Sequence, residues 1–340
     1  MKKFISLILS LAFAGSTFAQ MSGYSSSQSD GTTLGANETL TADGIALGNA
    51  VKLRGYINTT LYRKNDYSST PVTEDYDGTW VGADMDFLVD LSPITAEVHL
   101  AAGDEHAHSI GLEQAFGRYS FNQDFHLTFG RQVTVLGYDS DEKNFGYAVT
   151  NAWGEQRKSY VDGLRLNYNN GMFGFVLGLH DSYGLGHDGQ DPDDGIAVDL
   201  AASIMFFPGL EARLGLANEN GTANDDVLQF NGWLEWNPND LTLAIEFDTF
   251  DFAGDDAWDL MLLAHYQFND LFGASLRYSH QDYDAAGTAS DSEEDRISLA
   301  LLFSLTNNFD LNFEYTHVEL EEGSNDDSAE EFYLQALLSY

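Results

Sequence analysis

Several residue types are absent or scarce in this 340-residue sequence. Cysteine is absent, which excludes a disulfide framework, a thiolate metal site and a cysteine nucleophile. Basic residues are scarce, with 15 Lys and Arg against 54 Asp and Glu, for a formal net charge of −39. Because phosphate binding requires a basic surface, nucleic acid is excluded as a partner. Charged residues are nevertheless only 20% and hydrophobic ones 43%, so the composition is not that of a disordered acidic chain.

Long apolar runs are also missing after the first twenty residues, which excludes a helical membrane protein. At the start, two lysines precede an apolar run over residues 4–14, and a Thr-Phe-Ala sequence ending at Ala19 has small residues where signal peptidases read. We predict a signal peptide over 1–19. Residues 20–49, dominated by Ser, Gly, Thr, Asn and Asp, are predicted to form a flexible lead with room for one short docked turn.

From Val51 onward, apolar and polar residues alternate with a period of two. Val81, Met85 and Phe87, for example, fall on one side of a segment whose other side carries Asp84 and Asp86. This period predicts strands with two different faces. We expect about sixteen strands (roughly 14 to 18), because the spacing of about 18 residues suits membrane strands of ~10 residues better than a soluble sandwich. The predicted fold of residues 50–340 is an all-β transmembrane antiparallel barrel.

The connections between the predicted strands alternate in length. Short turn sequences include 91–93, 122–124 and 169–171, whereas the longer, mostly acidic ones are 63–79, 137–159, 182–195, 218–226, 282–295 and 320–330. Aromatic residues flank the short turns, as expected of an interfacial girdle. Short periplasmic turns and long extracellular loops are typical of outer-membrane barrels. The predicted location is therefore the outer membrane, with its lipid as a partner.

The last strand provides a further signature. Phe332, Leu334, Leu338 and Tyr340 alternate along one face up to the final aromatic residue. This resembles the terminal strand of Gram-negative outer-membrane proteins, and the resemblance implies recognition by the barrel-assembly machinery. Assembly of three copies into a homotrimer is left open.

Four short segments resemble the OmpL-like β-barrel porins. They are residues 53–60 (LRGYINTT), 112–116 (LEQAF), 130–132 (GRQ) and 136–139 (LGYD). The resemblance implies passive diffusion of small hydrophilic solutes and ions across the outer membrane. The segment 137–159 corresponds in position to a loop that folds into the barrel in general porins of the same strand number. The segment in this sequence lacks the Pro-Glu-Phe-Gly signature of that loop. An ordinary surface loop is the alternative.

The polar strand faces identify candidate residues for the pore. With the apolar side of each strand facing lipid, the inward charges predicted to line the pore or its constriction are Lys52, Arg54, Asp84, Asp86, Glu97, Arg165, Arg213 and Glu246. The loop adds Asp139, Asp141 and Glu142, which we expect to oppose the wall bases. Because acidic residues outnumber basic ones, we predict a weak preference for cations. Arg118 and Arg131 fit neither face, unless a bulge or an inward loop intervenes.

Catalytic and metal motifs are weak. The sequence has neither a Gly-x-Ser-x-Gly elbow nor a His-Glu-x-x-His helix, so we expect no enzyme and no cofactor. His106 and His108 make a poor metal site, and the acidic loop 188–195 lacks the spacing of a calcium loop, so no resident metal is expected. The competing hypotheses are a substrate-specific channel, a non-conducting structural or adhesive barrel, and a soluble all-β binding protein.

Overall fold

A computed structural model describes residues 34–64, 76–103, 110–138, 147–152, 160–181, 196–219, 227–252, 255–285, 291–323 and 325–340. These residues form one short 3-10 helix, Glu38–Leu40, and seventeen strands. The strands are β1 (Ile45–Ala46), β2 (Val51–Lys64), β3 (Tyr76–Asp90), β4 (Ile94–Gly103), β5 (Ile110–Ser120), β6 (Phe125–Val133), β7 (Tyr160–Asn169), β8 (Phe173–His180), β9 (Ala197–Phe207), β10 (Leu210–Glu219), β11 (Val227–Trp236), β12 (Leu241–Phe252), β13 (Asp255–Asn269), β14 (Phe272–Asp284), β15 (Ser292–Thr306), β16 (Phe309–Glu322) and β17 (Asn325–Ser339).

Strands β2 to β17 form a closed antiparallel barrel of sixteen strands, which confirms the predicted fold. Each strand pairs with the next along the chain, and β17 pairs with β2 to close the ring. The short β1 extends the seam, because Ile45 pairs with Leu53 on the part of β2 that β17 does not reach. Closure leaves no long free edge in the wall.

The two faces of the wall have opposite character. In β8 the side chains of Phe173, Phe175, Leu177 and Leu179 are exposed on the outside, and the residues between them are buried. The same alternation recurs in the other strands, with exposed residues such as Leu61 and Leu164 on the outer face. An apolar belt of this extent is stable only against lipid. Among the described residues, no helix is long and apolar enough to cross a membrane.

The short turns lie together at one end of the barrel, as predicted. Asparagine side chains stabilise several of them: the Oδ1 atoms of Asn122, Asn170 and Asn269 each accept hydrogen bonds from backbone N–H groups two and three residues later. Aromatic rings stack beside the turns, with 5.3 Å between the ring centroids of Phe121 and Phe125. This arrangement matches an interfacial girdle.

One predicted loop needs correction, and the bulge allowed for Arg118 is observed. The segment 320–330 was predicted to be a loop, but β16 continues to Glu322 and β17 begins at Asn325. The backbone pairing of β16 and β17 continues beyond the residues that alternate between apolar and polar. The reason is that strands extending above the membrane are polar on both faces. In addition, the pairing of β4 with β5 shifts register between His99 and Leu100. This irregularity explains why Arg118 faces inward while Leu112 faces outward.

Candidate functional site: the barrel interior

The interior face of β2 to β5 carries a compact group of charged residues. The Arg54 guanidinium lies 2.8 Å from the Asp86 carboxylate and 3.8 Å from that of Glu97. His99 lies 3.0 Å from Glu97, and the Arg118 guanidinium approaches the same carboxylate within 3.8 Å. All of these side chains are buried. The alternation of the strands therefore places opposite charges side by side within the barrel, where they neutralise each other.

A second pair of groups lies on β7 to β11. Arg165 bonds to Asp199 at 3.1 Å, and a second Arg165 nitrogen donates to the backbone carbonyl of Val133 at 2.6 Å. The Arg213 guanidinium lies 4.7 Å from the centroid of the Trp233 ring. The basic side chains predicted to face the pore are thus held against the wall by local partners.

The wall formed by β11 to β14 is acidic. Glu246, Asp248 and Asp259 are each fully buried, and Asp248 is the direct pairing partner of Asp259. Amide groups donate to these carboxylates: Asn231 bonds to both Glu246 and Asp248 at 2.9 Å, and Gln281 bonds to Asp259 at 2.9 Å. Hydrogen bonds from neutral amides leave the negative charge in place.

The described parts of the connection between β6 and β7 lie inside the barrel. The Tyr138 backbone N–H donates to Glu246 at 2.5 Å, and its hydroxyl donates to Glu235 at 2.6 Å. The Tyr138 ring packs against the edge of the Trp233 ring, with centroids 5.4 Å apart. The adjacent Tyr147 is buried, which raises the pKa of its phenol. Because β6 and β12 lie far apart around the ring, the connection spans the lumen.

The second half of this connection is held by β14 and β16. Glu314 accepts hydrogen bonds from the backbone N–H groups of Val149 and Thr150, and from the Thr150 hydroxyl at 2.5 Å. Arg277 donates to the carbonyl oxygens of Thr150 at 2.5 Å and of Asn151 at 2.9 Å. We call residues 134–138 and 147–152 the inward loop. The wall charges bind mainly its backbone groups, together with the hydroxyls of Tyr138 and Thr150.

Part of the predicted lead also lies inside the barrel. We call residues 34–46 the N-terminal segment. The Thr39 hydroxyl donates to Glu97, and Arg118 donates to Asn37 at 2.7 Å and to Thr39 at 2.9 Å. Leu34 is 3% exposed and lies in an apolar cluster that includes Leu136 of the inward loop. The two inserted segments therefore meet inside the lumen.

The predicted pore residues fall into three groups. Those in the described strands that face inward are Arg54, Asp84, Asp86, Glu97, Arg165, Arg213 and Glu246. Lys52 is half-buried and bonds to the Ala42 carbonyl of the N-terminal segment at 2.6 Å. Asp139, Asp141 and Glu142 lie outside the described residues.

Sequence reasoning missed the anchors of the N-terminal segment. Asn37 and Thr39 lie in a Ser- and Gly-rich stretch whose composition does not distinguish them from a solvated lead. The one usable signal was Arg118, a charge that fitted neither face of its strand and that in the structure binds both residues. Arg131, the other misfit, lies on the outer surface and pairs with Asp162 at 3.0 Å.

The terminal residues predicted to guide assembly lie at the closing seam. Phe332 and Leu338 are exposed on the lipid side. Tyr340 exchanges two backbone hydrogen bonds of 2.9 Å with Gly55, and its hydroxyl donates to the Asp84 carbonyl at 3.1 Å. Burial and the nearby Asp84 carboxylate raise the pKa of the Tyr340 phenol.

Two groups of side chains in the described residues could offer metal ligands, namely Asp84 with Asp86 and His99, and His280 with Glu293 and Asp295. In the first group, Arg54 already supplies a positive charge against Asp86. The second lies near the loop end of β14 and β15, where Tyr278 donates to Asp295 at 2.5 Å. Both groups have protein partners that explain their geometry.

No family model matches the sequence, and no curated protein matches it either. Solved structures do match over most of the chain. An anion-selective porin from Comamonas acidovorans has a TM-score of 0.64 at 14% identity, covering 86% of this chain and 99% of that one. OprB from Pseudomonas putida has a TM-score of 0.67 at 12% identity, covering 86% and 94%. A trimer form of OmpT from Vibrio cholerae has a TM-score of 0.59 at 12% identity, covering 86% and 100%.

This chain has the fold of a porin-like outer-membrane barrel. The identities establish the fold alone, and membership of the OmpL-like porins is not confirmed. The closed wall and its lipid-facing apolar belt place the protein in the outer membrane.

Proposed function

We propose that this protein is an outer-membrane channel for the passive diffusion of small hydrophilic solutes and ions, with no catalytic role. A barrel of about sixteen strands encloses more space than its own wall side chains fill. The proposal is supported by the inward loop, whose Tyr138 and Thr150 are bonded to Glu246 and Glu314 on distant strands. A loop anchored across the lumen would narrow such a passage, as a size-limited diffusion channel requires.

A narrower, substrate-specific channel is the second candidate, and one observation favours it. Three interior charges of β2 to β4, those of Arg54, Asp86 and Glu97, are at most 5% exposed. In a wide water-filled pore such side chains would be hydrated. Their burial therefore favours a small bore over an open one.

We further propose a weak preference for cations. Among the described residues, buried carboxylates such as those of Glu246, Asp248 and Asp259 outnumber the buried arginines. The net field in the lumen is then negative, and charges act most strongly where the walls approach within the ~8 Å screening length of physiological salt. We also propose that the barrel-assembly machinery inserts the chain, and that a homotrimer is one assembly state.

Single-channel recording in a planar bilayer tests the channel. We expect discrete conductance steps and a reversal potential on the cation side under a potassium chloride gradient. Absence of conductance from heat-modifiable, folded protein would remove the channel and leave a structural or adhesive barrel. A chloride preference would remove the cation assignment.

The loop acids have their own test. Replacing Asp139, Asp141 and Glu142 with the corresponding amides should reduce the cation preference. A matched variant carrying Asp191→Asn, Asp193→Asn and Asp194→Asn removes the same charge from another acidic loop. An equal effect of both variants would show that the total charge of the loops, rather than the constriction, sets the selectivity.

A further inference from the structure

We propose that the N-terminal segment forms a second constriction, in series with the inward loop, that restricts the size of the solutes that pass. This inference rests on the proposed channel function. It assigns a role in solute selection to residues that precede the barrel wall in the chain.

The first argument is the path of the segment. At one end, Ala46 pairs with Lys52 of β2. In the middle, Asn37 accepts from Arg118 of β5 at 2.7 Å, and at the other end the Asn169 amide of β7 donates to the Leu34 carbonyl at 2.8 Å. The segment therefore contacts strands from β2 to β7 within thirteen residues. A chain with this path crosses part of the barrel opening instead of following one strand.

The second argument is the height of these contacts. Ser120 and Asn169 are the last residues of β5 and β7, next to the short turns, and Ser120 bonds to Asn37 at 3.2 Å. The inward loop instead binds Glu246 and Glu314, near the middle of β12 and β16. The contacts of the N-terminal segment thus extend from the turn end of the barrel to the inward loop, which it meets at Leu34 and Leu136, so a solute must pass both.

The third argument is that the wall is shaped to receive the segment. A Cβ atom added to Gly174 would lie 2.5 Å from the Leu34 carbonyl oxygen. Gly35 has a φ of +75°, and a Cβ there would lie 2.5 Å from the Tyr168 carbonyl oxygen. Both glycines are at positions where backbones approach too closely for any side chain. A loosely associated tail would not require such positions.

The fourth argument is the asymmetry of the segment itself. Leu34 and Thr39 are at most 3% exposed and contact the wall, whereas Leu40, Thr41 and Asp43 are exposed. Glu38 lies close enough to Arg213 of β10 for an electrostatic attraction. One side of the segment is thus fixed to the wall, and the other faces the remaining space, where it sets the bore.

The experiment compares two triple-glycine variants of the full chain. The first, Leu34→Gly with Asn37→Gly and Thr39→Gly, removes three anchors and leaves the barrel wall unchanged. The second, Leu40→Gly with Thr41→Gly and Asp43→Gly, adds the same flexibility at exposed positions. We expect the first variant to raise the single-channel conductance about twofold and to admit larger uncharged polymers, and the second to resemble the wild type.

The outcomes separate this inference from the channel itself. If the wild type conducts and the anchor variant has the same conductance and polymer cut-off, the second constriction is refuted while the channel stands. If only the anchor variant conducts, the segment closes the pore and the inference holds in its strongest form. If all three folded proteins are silent, the proposed channel fails, and the second constriction fails with it.

A second measurement locates the segment independently of conductance. The sequence has no cysteine, so Asn37→Cys with Ser120→Cys introduces the only two thiols. We expect a short bifunctional thiol reagent to link them in the folded protein. Failure to link, with both thiols reactive toward a monofunctional reagent, would overturn the placement.

Discussion

The two segments inside the barrel are held by different proportions of backbone and side-chain groups. The inward loop is held mostly by backbone N–H and carbonyl groups, which bind Glu314 and Arg277 of the wall, with the Thr150 hydroxyl as a further donor. The N-terminal segment is held mostly by the side chains of Asn37 and Thr39, with the Leu34 and Ala42 carbonyls as further acceptors. Because backbone groups are common to all residues, the attachment of the loop depends less on its sequence than the attachment of the N-terminal segment does.

The largest effect is expected from removing the loop anchor. Glu314→Ala leaves the N–H groups of Val149 and Thr150 without this acceptor and removes a carboxylate that lies 3.7 Å from Arg277. We expect a loss of about 3 kcal/mol in the free energy of unfolding, because several buried donors lose a charged hydrogen-bond acceptor and a buried ion pair is broken. Urea unfolding in lipid vesicles measures the loss.

The matched control for this variant is Glu319→Ala on the same strand. The Glu319 side chain is 68% exposed, and its carboxylate lies 3.5 Å from His317. We expect less than about 0.5 kcal/mol from this change. Equal losses from the two variants would contradict the role of Glu314 as the loop anchor.

Removing the anchor of the N-terminal segment should have a smaller effect than removing the loop anchor, and the effect should be confined to the segment. Arg118→Ala removes donors to Asn37 and Thr39, and we expect the segment to open more easily by about 2 kcal/mol. Cleavage after Glu38 by a glutamate-specific protease should then accelerate about 30-fold, since 1.4 kcal/mol corresponds to a factor of ten. Arg131→Ala on the neighbouring strand removes an outward-facing arginine and serves as the control. Equal acceleration in both variants would contradict a specific anchor.

A smaller effect is expected where the segment touches the wall backbone. Gly35→Ala adds a Cβ 2.5 Å from the Tyr168 carbonyl oxygen at a φ of +75°. Gly171→Ala is the control: Gly171 has a φ of +85°, and a Cβ there would meet open space. This substitution therefore costs only the backbone strain of about 1 kcal/mol. We expect faster cleavage after Glu38 in the first variant only. If both variants behave alike, the close approach to the wall has no consequence.

The contrast between the two inserts also explains what the sequence could predict. The barrel was predictable because every strand must present apolar residues to lipid at alternate positions, as in 81–90. An inward position of the loop 137–159 was suggested by its length and by its likeness to the corresponding loop of general porins, but the sequence left an ordinary surface loop as the alternative. The N-terminal segment was predicted only as a lead with room for a docked turn, because side chains such as Thr39 bind partners far away in the chain. Strand pairing above the membrane, as in 320–330, also leaves no pattern in the sequence, because both faces of the strands meet water there.

The smallest effect is expected at the end of the segment nearest its own strand. The Lys52 ammonium donates to the Ala42 carbonyl at 2.6 Å, but the side chain is only half-buried, so water replaces the lost bond in part. Lys52→Met retains the apolar stem and removes only the charge and its donors. We expect about 0.5 to 1 kcal/mol, seen as a two- to fivefold faster cleavage after Glu38. An effect as large as that of Arg118→Ala would mean that the segment is held equally from its β2 end, and the side chains of Asn37 and Thr39 would then not be its main anchors.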